Sequence, residues 1–272
     1  MGFYVDSGSP RTVWAPVDTV TAASLYVGQL VKNDSVSLNG MAPLAAASGS
    51  TDKTALQSIY GVVIGDNNYT KLYLATYGQY QTGQATVAAQ AARVKLGNSG
   101  MYSAGDSQAL VRVAVINPNT VLRGNIYNAT VGTAPGVLTA TTGLSTTGFT
   151  ASGTIDVATV ANMCTCYCRT GANAGVYRVV LNASSTAFTF TTAWPVAPVA
   201  GDTFVIVPLK IGYSFMNITY TSGYLGMGID SSKTAATDYF GAHVYELDLR
   251  VAGNETALFA FDAIHCSTRA LS

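Results

Sequence analysis

The chain has 272 residues and balances 14 basic against 14 acidic side chains, so only 10% of its residues are charged and its net charge is zero. Soluble domains average about 25% charged residues, and surfaces close to neutrality tend to associate. Scattered, balanced charge provides no basic patch, which argues against nucleic-acid binding by phosphate neutralisation. We therefore expect a surface that is partly covered by a membrane or by other protein.

The charge-free parts of the chain argue against a membrane. A spanning helix needs about 20 nearly continuous apolar residues. Thr, Ser, Asn, Gly and Pro interrupt the three longest charge-free stretches, 124–155, 179–201 and 211–229. The first residues, MGFYVD, contain neither the basic nor the apolar segment of a secretory signal. We expect no membrane association, and protein is the expected neighbour.

The local pattern predicts an all-β fold with a barrel- or sandwich-like β unit, an additional β module and little helix. Runs of Thr, Val, Tyr and Phe alternate with turn-forming Gly, Asn, Asp, Ser and Pro. Only residues 51–59 and 84–94 have a composition that suits a helix. The predicted strands, in chain order, are Ile59–Ile64, Lys71–Thr76, Ala109–Ile116, Gly136–Thr142, Val176–Leu181, Ala187–Thr192, Thr203–Val207 and His243–Val251.

The last of these strands has the clearest alternation of polar and apolar residues. Because successive side chains of a strand point to opposite faces, the pattern predicts one solvent-exposed face and one apolar face. These faces are formed by Val244, Glu246, Asp248 and Arg250 and by Tyr245, Leu247, Leu249 and Val251, respectively.

Composition divides the chain into five parts. An N-terminal arm rich in Gly, Ser and Pro also carries aromatic residues, which suits a segment that docks onto something. A charge-free segment rich in Thr, Gly, Ala and Ser resembles a junction, and the C-terminal strands are candidates to complete the first unit. The predicted parts are an arm (1–12), an N-terminal β unit (13–122), a junction (123–150), a second β module (151–210) and C-terminal strands (211–272).

Two Ala-Gly-Asp sequences, at 104–106 and 200–202, each come just before a predicted strand. Gly permits a positive φ, and an Asp side chain can bind the backbone two residues further on. We therefore interpret Asp106 and Asp202 as turn formers rather than as catalytic carboxylates.

Catalytic chemistry is not predicted for this chain. It has two histidines, His243 and His265, and two glutamates, Glu246 and Glu255, which is a poor supply for a nucleophile–base pair or a carboxylate pair. No glycine-rich phosphate loop is present. We predict no enzyme and assign no catalytic, cofactor-binding or metal-binding residue.

Three cysteines, Cys164, Cys166 and Cys168, alternate along one extended segment, which places their sulfur atoms on one face. Free cysteines are among the most buried residues, so we interpret them as core residues. Metal ligands are normally spaced around a turn, and two cysteines on one strand form a poor disulfide. A metal site that adds Cys266, or a disulfide to Cys266, remains the alternative.

Aromatic residues are the strongest candidates for contact with other proteins. Tyr is favoured at interfaces because its ring is apolar and its tip is polar. Ordinary sheet packing and a sugar-binding platform are the alternative interpretations. The candidate interface residues are Phe3, Tyr4, Trp14, Tyr73, Tyr77, Tyr80, Tyr213, Tyr220 and Tyr224.

Two segments resemble parts of virion proteins from tailed bacteriophages. The first lies within 20–65 and is similar to small β-barrel head decoration proteins. The second lies within 166–209 and resembles a β module that recurs in phage structural proteins. The similar motifs are VGQLV (27–31), NGMAPL (39–44) and YGVVIG (60–65) in the first, and YCRTGANAGVYRV (167–179), AWP (193–195) and GDTFV (201–205) in the second.

This resemblance implies a capsid decoration, or cement, protein that is made in the host cytoplasm and stabilises the shell from the outer capsid surface. Its implied partners are further copies of itself, as a homotrimer, and the major capsid protein, with no cofactor. Contacts would concentrate in the three charge-free stretches, and the 1–12 arm would contact the capsid through Phe3, Tyr4 and Trp14. The alternatives are a tail-fibre or receptor-binding β protein that recognises host glycans, or another component of the shell.

Overall fold

The computed structural model describes residues 3–17, 28, 30–33, 41–43, 59–64, 109–127, 137–152, 163–183, 186–221, 226–230 and 240–266. Its regular elements are all strands, which confirms the predicted all-β class. No helix among these residues has the length and apolar character to span a membrane.

The described part of the chain contains 18 strands. In chain order they are β1 (Tyr4–Ser7), β2 (Thr12–Val17), β3 (Leu30–Asn33), β4 (Met41–Pro43), β5 (Gly61–Val63), β6 (Ala109–Val115), β7 (Val121–Tyr127), β8 (Val137–Ser145), β9 (Gly148–Ser152), β10 (Thr165–Cys168), β11 (Tyr177–Ala183), β12 (Ala187–Phe190), β13 (Thr203–Val207), β14 (Gly212–Met216), β15 (Ile218–Thr221), β16 (Gly226–Asp230), β17 (Phe240–Asp248) and β18 (Thr256–Phe261).

Two groups of strands close into barrels. The N-terminal barrel has the order β2-β4-β3-β5-β6, and the inserted barrel has the order β10-β11-β12-β9-β8-β13. Period-two alternation directs Phe188 and Phe190 of β12 inward while Thr189 faces solvent. The inserted barrel thus encloses an aromatic core, in which the rings of Phe149 and Phe204 stack with centroids 4.3 Å apart.

The remaining strands form the central sheet, in the order β14-β17-β18-β7-β16-β15, with β1 also paired to β7. Strands β14 and β15 lie at opposite ends of this order, yet only Asn217 separates them along the chain. The two ends of the sheet must therefore meet at Asn217, and the sheet curls into an incompletely closed barrel.

The inserted barrel packs its outer side against the central sheet. Strand β13 is buried on both faces because Phe204 and Ile206 face the barrel interior, whereas Val205 and Val207 join the core of the central sheet. Tyr167 of β10 joins the same central core. A continuous apolar core therefore connects the two units.

The strand order divides the chain differently from the composition. Both barrels interrupt the central sheet, because the chain passes from β1 through the N-terminal barrel to β7, and from β7 through the inserted barrel to β14. The predicted junction, 123–150, contains most of β7, all of β8 and the beginning of β9. The C-terminal strands pair with β7 and not with the N-terminal barrel, although Cys266 forms an isolated bridge to Ile59.

The predicted N-terminal arm is part of the fold. Residues 4–7 form β1 on the edge of β7. The Phe3 side chain is 1% exposed and lies edge-on to Phe259 with centroids 5.8 Å apart. Phe3 is consequently a core residue in this chain and not a free capsid contact, since its ring covers Gly124 in the curled sheet.

The predicted alternation of 243–251 is wrong at its start. The pairing of β17 with β18 shifts register between Val244 and Glu246, which marks a β-bulge. A bulge re-aims the side chains on its strand, so Val244 is buried and Tyr245 is exposed. Leu247 and Leu249 are buried as predicted, whereas Val251, also assigned to the apolar face, lies beyond the end of β17 and is 58% exposed.

The other predicted strands correspond to described elements, with one exception. The predictions at 59–64, 109–116, 136–142, 176–181, 187–192 and 203–207 are confirmed as β5, β6, β8, β11, β12 and β13. The predicted strand 71–76, the helical segment 84–94 and nearly all of the segment 51–59 lie outside the described residues.

Candidate assembly surface

The solvent face of β14 and β17 carries a row of apolar and aromatic side chains. In the antiparallel register Tyr213 lies opposite His243 and Phe215 opposite Gly241, and the same register places Ile211 beside Tyr245. Ile211 is 58% exposed, and Tyr213 and Tyr245 are each 48% exposed. We call this row the aromatic strip, which consists of Ile211, Tyr213, Phe215, His243 and Tyr245.

Local sequence explains why these side chains face outward. Along β14, GYSFM alternates so that Ser214 and Met216 turn inward while Tyr213 turns outward. Along β17, the bulge exposes Tyr245 and lets Val244 reach the core. Neighbouring rings support one another in edge or tilted contacts, at 5.3 Å for Tyr213–Phe215 and 4.9 Å for His243–Tyr245.

The aromatic strip borders an open sheet edge. Strand β14 ends the strand order of the central sheet, and within the described residues no strand pairs with its outer edge. Edge strands present unpaired N–H and C=O groups that can template pairing with another chain. No charged residue lies between 211 and 229 to discourage such pairing.

A groove of about 350 Å³ lies next to the aromatic strip, between the inserted barrel and β17. The Tyr177 hydroxyl donates a 2.9 Å hydrogen bond to the carbonyl oxygen of Leu247. Burial raises the pKa of the Tyr177 phenol, so the hydroxyl keeps the proton that it donates. The groove is lined by Thr165, Tyr177, Arg178, Val179, Ile211, Tyr245, Glu246 and Leu247.

A buried ion pair holds the two walls of this groove together. The Arg169 guanidinium, just after β10, pairs with the Glu255 carboxylate next to β18 and also donates to the carbonyl oxygen of Leu249 at 3.3 Å. The Glu255 side chain is fully buried, and that of Arg169 is 10% exposed. Because separating a buried pair leaves an uncompensated charge, this contact fixes the barrel against the sheet.

The structure places the three alternating cysteines in the core of the inserted barrel, as predicted. Cys164, Cys166 and Cys168 are buried in that core and form no disulfide. Burial raises the pKa of the Cys166 thiol well above its usual value and that of Cys168 to about 11. These thiols therefore stay protonated at neutral pH and act as small apolar groups.

The fourth cysteine is far from this group in the architecture. Cys266 is a free thiol in the core of the central sheet, and burial raises its pKa to about 12. Its sulfur atom donates to the carbonyl oxygen of Asp262. Among the described residues no three His, Cys, Asp or Glu side chains are grouped as a metal site.

Asp202 has the predicted role of turn former. One carboxylate oxygen accepts the Val199 N–H at 3.0 Å, and Gly201 beside it has a φ of +97°. Its carboxylate also lies against Gly171, where a Cβ atom would collide with it. Asp106 lies outside the described residues.

Two of the predicted interface residues are seen with exposed side chains. Tyr213 lies in the aromatic strip, and Tyr4 is 50% exposed on β1. Phe3 is buried. Trp14 and Tyr220 lie on β2 and β15, whereas Tyr73, Tyr77, Tyr80 and Tyr224 fall outside the described residues.

Sequence reasoning missed four members of the aromatic strip, Ile211, Phe215, His243 and Tyr245. Tyr245 was assigned to the wrong face because of the bulge in β17, and the local sequence contains no signal that predicts this bulge. Ile211 carried a usable signal, because it is the apolar first residue of a charge-free stretch.

Comparisons with protein-family models, with curated proteins and with solved structures find no significant match to this chain.

Proposed function

We propose that this chain is a non-enzymatic structural protein of a virion, which binds the outer capsid surface as an oligomer and stabilises the shell. The observation that carries the proposal is the aromatic strip beside the open edge of β14. Contiguous exposed apolar side chains mark interaction sites, and aromatic residues with few charges typify the core of an interface.

The distribution of exposed apolar side chains supports an assembly role. Ten large apolar side chains are exposed in the described part of the chain, and six of them fall in the three charge-free stretches identified from the sequence. Such residues offer contact area without the cost of desolvating charge. The six are Val137, Leu181, Val196, Val199, Ile211 and Tyr213.

Multivalency makes modest contacts sufficient for this function. A symmetric oligomer that touches several capsid subunits binds each further site at a high effective concentration. Further copies of the chain, as a homotrimer, and the major capsid protein are the proposed partners. In a closed symmetric oligomer, a surface patch contacts either the same patch or a different patch of another copy. A strip without Asp, Glu, Lys or Arg can do so without repulsion between like charges.

A pair of charge insertions tests the proposal. Ile211→Lys places a cation in the aromatic strip, whereas Val251→Lys places one at a position of equal exposure, 58%, outside it. We expect Ile211→Lys to lower the oligomeric mass in light scattering and to reduce co-sedimentation with capsid shells at least tenfold. Val251→Lys should behave like the unmodified chain. Unchanged assembly and shell binding by Ile211→Lys would contradict the proposal.

Glycan recognition is a second candidate function, favoured by the groove beside the strip. Two tyrosines, an exposed glutamate and the Thr165 hydroxyl line a space of a size typical for small ligands. Glycan-array binding that Tyr245→Ala abolishes, with oligomerisation intact, would favour this receptor-binding role over the assembly role.

A further inference from the structure

The C-terminal turn, Asp262–Cys266, joins the central sheet to the N-terminal barrel. The Ile59 N–H, just before β5, donates to the carbonyl oxygen of His265 at 2.9 Å. Ile59 also forms a parallel bridge with Cys266, and both side chains are fully buried in one core. Displacement of this turn would therefore loosen the barrel from the sheet.

The His265 side chain holds the turn in place from inside the protein. Its residue is 5% exposed, and Nε2 accepts the backbone N–H of Gly241 at 3.0 Å. An accepting Nε2 requires a neutral imidazole whose proton sits on Nδ1. Nδ1 is buried and has no hydrogen-bond partner among the described residues. Phe240 packs edge-on against the ring at 5.2 Å.

The groups around this imidazole do not compensate a positive charge fully. Asp262, in the same turn, favours the charged form, and its carboxylate also interacts electrostatically with the Tyr213 phenol of β14. Cys266 is a protonated thiol, and the contact from the N-terminal barrel is the Ile59 backbone. Burial is the dominant effect, and it lowers the pKa of His265 below its usual 6.5.

We propose that His265 is an acid-sensitive clasp between the central sheet and the N-terminal barrel. A proton taken from solvent by Nε2 replaces the acceptor with a donor, which then faces the Gly241 N–H. Two donors cannot bond each other, and the described residues offer the imidazolium no acceptor at Nδ1. The ring leaves its site, the turn shifts, and the Ile59 contacts break.

The direction of the pH dependence follows from the lowered pKa. The opened form, with an ordinary histidine, binds the proton more tightly than the closed form does. The stabilisation is complete above pH 6.5 and is lost as the pH falls below that value. With an ordinary value of 6.5 in the opened form, the opening equilibrium rises by up to about tenfold between pH 7.5 and pH 5.5.

Amide hydrogen exchange on the full chain tests this proposal, because the chain has two histidines and one of them is an exposed control. Protection of the Ile59 and Gly241 amides, corrected for intrinsic rates, should fall from pH 7.5 to pH 5.5, by up to about tenfold. His243→Gln should show the same fall, whereas His265→Gln should remove the pH dependence. Protection that is constant in the unmodified chain, or a fall that His243→Gln removes, overturns the proposal.

A titration covers the case in which His265→Gln does not fold. The imidazole of His265, followed by NMR in the His243→Gln variant, should titrate below 6.5 while the Gly241 amide signal shifts with it. Titration at or above 6.5 with an unmoved Gly241 signal overturns the clasp.

Discussion

The inserted barrel and the central sheet deal with buried polar groups in different ways. In the barrel every strand has two neighbours, and the one buried side-chain polar atom that lacks a partner in its described part is Nε1 of Trp194. The other three such atoms among the described residues belong to Asn217, Glu255 and His265, all in or next to the central sheet. The sheet therefore carries most of the incompletely satisfied polar groups.

Each of these three residues lies at a boundary of the central sheet, either between its two ends or against one of the barrels. Asn217 separates the two ends of the sheet, Glu255 pairs with Arg169 of the inserted barrel, and His265 lies in the turn that binds Ile59 of the N-terminal barrel. In a closed barrel every strand edge is paired, so the backbone polar groups bond within the barrel. Where two units meet, polar groups from both units become buried. Buried polar groups therefore occur at the contacts between the units of this molecule.

The largest expected loss of stability comes from breaking the ion pair between the inserted barrel and the central sheet. Arg169→Ala leaves the fully buried Glu255 carboxylate without a counter-charge and should reduce the free energy of unfolding by about 3–5 kcal/mol. Chemical denaturation measures the loss. The double variant Arg169→Met with Glu255→Leu should recover most of it, because no charge is then buried alone. Equal stability of Arg169→Ala and the unmodified chain would show that the joint does not depend on this pair.

A smaller effect probes the inserted barrel alone. Gly171 and Gly253 have similar positive φ values, +83° and +80°, but only at Gly171 would a Cβ atom meet the Asp202 carboxylate. Gly253→Ala should cost about 1–2 kcal/mol for the backbone conformation, and Gly171→Ala should cost at least about 1 kcal/mol more. Equal losses in thermal denaturation would mean that Asp202 moves freely and does not fix the turn.

The smallest expected effect is a loss of stability at alkaline pH. The pKa of Cys168 is raised by burial from 9.0 to about 11, so its stabilising effect is complete below pH 9 and declines as the pH rises towards 11. The loss should reach about 1 kcal/mol at pH 10. Because the raised pKa values of Cys166 and Cys266 add to the same decline, Cys168→Ala should reduce the slope of the curve of stability against pH between 9 and 11 without abolishing it. A curve of unchanged slope would place the titrating group elsewhere, with Cys266 as the next candidate.

Local patterns were sufficient to predict much of the inserted barrel. The strand at 203–207 was predicted with its observed limits, and the alternating cysteines were correctly assigned to a core. Both results depend on period-two alternation, which a strand carries whatever it packs against. The exposed aromatic strip could be predicted only in part, since Tyr213 was identified but Tyr245 was assigned to the wrong face.

Long-range pairing decided what the sequence pattern could not. Phe3 looked like an exposed arm because its neighbours are Gly, Ser and Pro, yet it fills the space above Gly124, more than 100 residues away along the chain. The partners of β7 come from both ends of the chain, and no local signal specifies them.

The sequence by itself determined the all-β class, the strands with clear alternation and the shortage of charge that led to the assembly proposal. These properties depend on residues that are neighbours in the chain. Only the tertiary structure decided that both barrels interrupt one curled sheet, that a bulge exposes Tyr245, and that Arg169 meets Glu255 across a joint. Those features depend on pairing between distant segments, where the energy of burial and register outweighs the local preference of any single residue.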